Sequence, residues 1–127
     1  MTKAPIIALC GSSVADRAAA TEALASLLPA HVDLTIPKSV RVPWGREERL
    51  AAVLASADRM TPILISIACL EEADVVESLG GEVVHVQGLP SDDIPIERHH
   101  LMMTLAEERG RYTNPVNTLI KILGRAA

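Results

Sequence analysis

TPILISIACLEEADVVESLGGEVVHVQG, residues Thr61 to Gly88, decides the fold. PILISI (Pro62–Ile67) is a short continuous apolar run, the pattern of a strand covered on both faces. Ala73, Val76 and Leu79 then recur at helical spacing, and Gly80-Gly81 ends that helix with a residue able to take the left-handed conformation. EVVHVQG (Glu82–Gly88) is apolar again and forms the next strand. Strand, helix and strand, with both strands of the buried type, make a parallel unit.

The flanking segments repeat the alternation. PIIALC (Pro5–Cys10) is a strand, followed by a helix whose stripe is Leu24, Leu27 and Leu28, closed by Pro29. HVDLTI (His31–Ile36) is expected to be a second strand and PKSVRVPWG a loop. A helix marked by Leu50, Val53, Leu54 and Ala57 comes next. LPSDDIPIER reads as a loop and His99–Arg109 as a helix. Pro115 opens a last helix carrying Val116, Leu119, Ile120 and Leu123. The expectation is one compact domain over residues 1–127, a three-layer α/β sandwich on a mostly parallel sheet of about five strands. Ligands in such folds bind at the carboxyl ends of the strands, so the turns after Cys10, Ile36, Ile67 and Gln87 are the places of interest.

Composition sets outer limits. The chain has 127 residues, 49% of them hydrophobic, with Trp44 and Tyr112 as its aromatic residues, so aliphatic side chains must fill the core. A net charge of −4 provides no global attraction to nucleic acid. Cys10 and Cys69 match no metal-site spacing. The N-terminus does not read as a signal peptide, and no apolar run is long enough to span a membrane. A cytoplasmic protein with reduced thiols is expected.

Three segments carry a family resemblance: IIALCGSSVADRAAATEAL (Ile6–Leu24), Thr61–Gly88, and YTNPVNTLIKIL (Tyr112–Leu123). In order and spacing they resemble the phage-type deoxynucleoside monophosphate kinases, which have the P-loop kinase fold; EEADVVESLGGEVVHV is the most specific part. The resemblance implies a phage-encoded protein, and so a place in the host cytoplasm. It also implies a phosphate loop starting at Gly11, with Ser12, Ser13 and Arg17 as phosphate contacts. Several family positions depart. Asp16 falls where the loop's last glycine belongs and Arg17 where its lysine belongs. Ala18 and Ala19 replace polar residues, one of which would hold magnesium. Ser66 and Ala68 stand for the aspartate and arginine that follow the third strand.

These departures have physical meaning. The loop works by turning successive backbone N–H groups toward phosphate, which needs glycine where a side chain would block approach. A carboxylate about 4 Å from a phosphate charge, at an effective dielectric of about 20, is repelled by roughly 4 kcal/mol. Nor is there length for a closing lid after the second or fourth strand. The expected function is therefore a catalytically degenerate kinase-like protein without a cofactor, acting by binding a protein partner or by self-assembly. One alternative is an active or weakly active nucleotide-binding kinase using ATP and magnesium. Another is a nucleic-acid accessory protein acting through the Trp44 loop, where Lys38, Arg41 and Arg46 surround the tryptophan; the same four residues, Lys38, Arg41, Trp44 and Arg46, are the candidates for binding a protein partner. No metal ligands are expected: adjacent histidines on a helix, His99 and His100, would point about 100° apart, and Asp92-Asp93 reads as an ordinary acidic turn.

Overall fold

A computed structural model describes residues 3–11 and 13–126. In chain order the elements are β1 (Ile6–Cys10), α1 (Val14–Ala25), β2 (Val32–Asp33), α2 (Pro43–Ala55), β3 (Ile63–Ser66) and α3 (Leu70–Ser78). β4 (Glu82–Val86), β5 (Leu101–Met103), β6 (Tyr112–Thr113) and α4 (Pro115–Ala126) follow. The strands form one sheet in the order β2-β3-β1-β4-β5-β6, with every ladder parallel. This is the expected α/β sandwich with one strand more. Among the described residues, no helix is long and apolar enough to cross a membrane.

β1 shows how a continuous apolar run builds three layers. All five of its residues are fully buried. Because successive side chains point to opposite faces, Ile6, Ala8 and Cys10 pack with Leu50 and Leu54 of α2 and with Ala73 and Val76 of α3. Ile7 and Leu9 pack on the other face with Ala20 and Leu24 of α1 and Leu119 and Ile122 of α4. The Gly80-Gly81 pair returns α3 to the sheet. Gly80 has φ +79°, and a Cβ on Gly81 would lie 2.6 Å from Val76 Cγ1 and 3.0 Å from Ile6 Cβ. A side chain there would push α3 off β1.

Three sequence expectations are corrected. His99–Arg109 is not a helix: Leu101–Met103 is strand β5, paired with β4 and β6, and the following residues are loop. A short apolar run does not distinguish strand from helix by periodicity, and the helix formers in LAEERG tilted the local balance. β2 is confined to Val32–Asp33 rather than running from His31 to Ile36. Thr35 folds back instead, its N–H and hydroxyl both donating to Asp33 Oδ1. Helix α2 begins at Pro43, so Trp44 and Arg46 belong to its first turns and not to a loop.

The helix layer over β1 and β3 holds a buried ion pair. Arg46, 7% exposed, donates from Nε to Glu72 Oε1 at 2.8 Å, and Glu72 is fully buried. The rest of the guanidinium donates to the carbonyls of Ile36, Pro37 and Val40. Glu72 also accepts the Ala68 N–H and the Cys69 thiol. α2, α3, the loop after β2 and the turn after β3 thus meet at two side chains. Removing one partner strands a buried charge, so Arg46→Met is expected to cost about 3–5 kcal/mol. The double variant Arg46→Met/Glu72→Leu should recover only part of that loss, because three carbonyls still lose their donor. Urea unfolding of the two single variants and the double variant checks this; full recovery in the double variant refutes the clamp.

Candidate functional site

The carboxyl ends of β1 and β3 flank the point where the strand order reverses, the usual ligand crevice of an open parallel sheet. Gly11 leaves β1 with φ +81°, a left-handed conformation that admits glycine with least strain. Ser12 lies outside the described residues. Ser13 is the N-cap of α1: its Oγ accepts the Asp16 N–H at 3.1 Å. The helix starts at Val14, so only Gly11 to Ser13 separate it from β1. The Arg17 N–H donates to Ser13 O. Asp16 stands in the first helical turn, where a carboxylate suits the positive end of the helix dipole.

Arg17 crosses the turn. Its Nε donates to Ser66 Oγ at 3.0 Å and its NH1 to the Gly11 carbonyl at 3.1 Å. Ser66 also donates its N–H to Thr35 Oγ1 at 2.9 Å. A polar chain therefore runs Asp33, Thr35, Ser66, Arg17, Gly11 across the ends of three strands. Two crevices meet at it. One, of about 410 Å³, is bordered by Arg17, Thr35, Lys38, Arg41, Ser66 and Ala68 among others. The second, of about 500 Å³, shares Val14, Arg17, Thr35 and Ser66 and adds His31 and Asp33. Both fall within the size range of small-molecule sites.

The two groups of sequence candidates fare differently. Gly11, Ser13 and Arg17 come together at one turn. Lys38 and Arg41 reach the edge of the same crevice, and both are exposed. Trp44, 67% exposed, projects from the start of α2. Arg46 also borders that crevice but is 7% exposed, its guanidinium taken up by the core clamp described above. A signal for this was present. Arg46, Leu50 and Leu54 are four apart, as are Glu72 and Val76, so each charge lies on the apolar stripe of its helix.

A second polar cluster escaped the sequence reading. Cys10 Sγ lies 3.3 Å from His85 Nδ1, and His85 Nε2 lies 2.8 Å from His100 Nδ1. His100 Nε2 lies 2.9 Å from Glu77 Oε1, and His99 Nε2 lies 2.7 Å from Glu77 Oε2. Cys10, His85 and His100 are buried. Burial pushes the Cys10 thiol up to about 12, against the pull of the Arg17 charge. Burial, then the charges of His100 and Arg111, press His85 down to about 4. For Glu77 burial acts upward, but the hydrogen bonds from His100 and His99 outweigh it and hold the carboxyl below its usual value. A histidine beside a thiol suggests nucleophilic catalysis, yet here the thiol is sealed and held in its protonated form.

No family model matches the chain, and no curated protein sequence matches it. Among solved structures it is similar to a gluconokinase from Sinorhizobium meliloti 1021, with a TM-score of 0.53 at 15% identity, over 98% of this chain and 90% of that one. At this identity the likeness concerns the fold, which is P-loop kinase-like. It supports that architecture and not the narrower phage deoxynucleotide kinase family.

Because the thiolate is the reactive form, Cys10 is expected to resist iodoacetamide in the folded protein even at pH 9, and Cys69, also buried with its thiol pushed up, to react slowly. Both should label in denaturant. Mass spectrometry of timed samples reads this, and rapid native labelling of Cys10 contradicts the sealed geometry.

Proposed function

We propose that this chain is a ligand-binding protein on the P-loop kinase-like fold that does not transfer phosphoryl groups. Its ligand is a small anion, a carboxylate or a phosphomonoester, seated in the crevice between the turns after β1 and β3. The observation carrying this reading is Arg17, whose guanidinium bridges Gly11 O and Ser66 Oγ inside the crevice. With Lys38 and Arg41 on the rim, it favours an anion.

The residues present do not fit a magnesium-bound triphosphate. A working phosphate loop keeps four residues between its glycines and turns their N–H groups toward phosphate. Here the residues from Val14 onward are helical, and the N–H groups of Asp16 and Arg17 go to Ser13. Ala18 and Ala19 offer no hydroxyl, and Ser66 Oγ already accepts from Arg17. This supports the loss of phosphoryl transfer, which requires positioned magnesium and a cradled triphosphate.

The test is thermal denaturation with millimolar deoxynucleoside monophosphates, gluconate and inorganic phosphate, gluconate being suggested by the name of the structural neighbour. At least one anion is expected to raise Tm by several degrees, and Arg17→Ala should abolish the rise. ATP with magnesium should yield no phosphorylated product from any of the organic acceptors. Transfer to one of them, or no stabilisation by any anion, overturns the reading.

A second reading, self-association through the start of α2, is favoured by the exposure of Trp44, three residues after the exposed Arg41. Tryptophan and arginine are enriched at interface hot spots. Sedimentation should then show a concentration-dependent oligomer that Trp44→Ala dissociates, while monomer stability stays within about 0.5 kcal/mol. A wild-type chain that remains monomeric at high concentration removes this reading.

A further inference from the structure

We infer that Glu77, His99 and His100 form a binding site for a divalent transition cation of the zinc class, separate from the crevice at Arg17. The ligand atoms of these three residues lie within 4.8 Å of one another, and no ion occupies them. They come from two places, the last turn of α3 and the two residues before β5. The objection from adjacent histidines applies to a helix. Here they occupy a turn, and their rings stand at 65° with centroids 4.5 Å apart. Both Nε2 atoms address the one carboxylate, at 2.7 and 2.9 Å. In a tetrahedral site with bonds of about 2.1 Å, neighbouring ligand atoms sit about 3.4 Å apart. Each contact must therefore open by about half an ångström as the cation displaces the hydrogens now shared there.

The surroundings are organised for this. His100 is buried, and its Nδ1 is held by His85 Nε2 at 2.8 Å, the outer hydrogen bond that characteristically orients a metal-bound imidazole. The backbone segment is fixed as well. Arg111 donates to the carbonyls of Glu97, Arg98 and His100, and Arg125 donates to the carbonyl of His99. His99, with a side chain 61% exposed, leaves the site open to solvent. Three protein ligands and one open position match the two-histidine, one-carboxylate arrangement known for zinc.

The tautomers explain how one set of positions serves both states. The Glu97 N–H donates to His100 Nδ1 at 3.2 Å. With the site empty, that makes Nδ1 an acceptor and puts the proton on Nε2, which donates to Glu77. His85 then donates from its own Nε2 and accepts the Cys10 thiol at Nδ1. With a cation on His100 Nε2, the proton moves to Nδ1 and His85 Nε2 becomes its acceptor. The two Glu77 contacts widen as described, the Glu97 bond is given up, and His85 moves its own proton to Nδ1, so that it donates toward Cys10 Sγ instead of accepting from it. Two imidazoles with one carboxylate suit zinc rather than magnesium or calcium, which require more oxygen ligands.

The experiment titrates chelator-treated protein with cobalt(II), followed by visible absorption, and with zinc(II), followed by calorimetry and thermal denaturation. One cation per chain, a tetrahedral cobalt spectrum and a zinc-dependent rise in Tm are expected. His99→Ala, whose side chain is exposed, should fold as the parent does and lose about ten-fold or more in affinity. Glu77→Gln should also weaken binding, while His31→Ala and Arg17→Ala should leave it unchanged. Absence of saturable one-to-one binding at micromolar zinc overturns the inference, as does His99→Ala binding zinc like the parent. Because Arg17→Ala serves as a control, the outcome is independent of the crevice reading.

Discussion

The Arg46–Glu72 pair is the interaction on which the ligand end of this protein depends. Two charges taken out of water are costly unless their remaining hydrogen-bonding capacity is met. That requirement shapes the region. The guanidinium draws in three carbonyls of the loop after β2, and the carboxylate draws in the Ala68 N–H and the Cys69 thiol of the turn after β3. β2 contributes only two residues to the sheet, so the sheet alone holds that loop weakly. Lys38 and Arg41 reach the crevice because their backbone is anchored at Ile36, Pro37 and Val40.

The same logic of local satisfaction governs the turn after β1. A long phosphate-wrapping loop leaves its N–H groups for a ligand. Here Ser13, as both cap and first helical acceptor, takes the N–H groups of Asp16 and Arg17. Arg17 spans the gap from Gly11 to Ser66 and joins β1 to β3 above the sheet. On the proposed reading, an anion enters a crevice whose walls are already hydrogen-bonded to each other.

The fold was legible because the apolar runs in PIIALC, PILISI and EVVHV are short, rich in Ile and Val, and bounded by Pro and Gly, which favours strands covered on both faces. The Gly80-Gly81 stop and Pro115 start depend on local backbone chemistry, which sequence reports well. The shortened β2 and the early start of α2 have local causes, the Thr35–Asp33 turn and Pro43, whereas the misread β5 is set by tertiary context. LMM becomes a strand only because β4 and β6 offer edges to pair with, which the residues themselves do not reveal. Gly11, Ser13 and Arg17 meet because they are close in the chain. Glu77, His85 and His100 meet through the parallel pairing of β4 with β5 and the placement of α3, a register no spacing rule encodes. Arg46 and Glu72 were legible in principle, as opposite charges on the apolar stripes of consecutive helices, but a basic residue near a tryptophan reads more readily as surface.

Both polar systems lie on the α2/α3 side of the sheet. Ala8 and Cys10 of β1 and Ala73 of α3 are the small residues of that layer, among isoleucines and leucines such as Ile6, Leu50, Ile63 and Ile65. Arg46 and Glu72 occupy the space at the carboxyl end of the strands, and His85 with His100 occupies it toward the β5 edge. Each group is tolerated because its partner is present, so the two networks fill volume as well as fix geometry. A single buried histidine at position 85 would leave a ring nitrogen without a partner. Cys10 on one side and His100 on the other resolve that, and the chain then reaches the surface at Glu77 and His99.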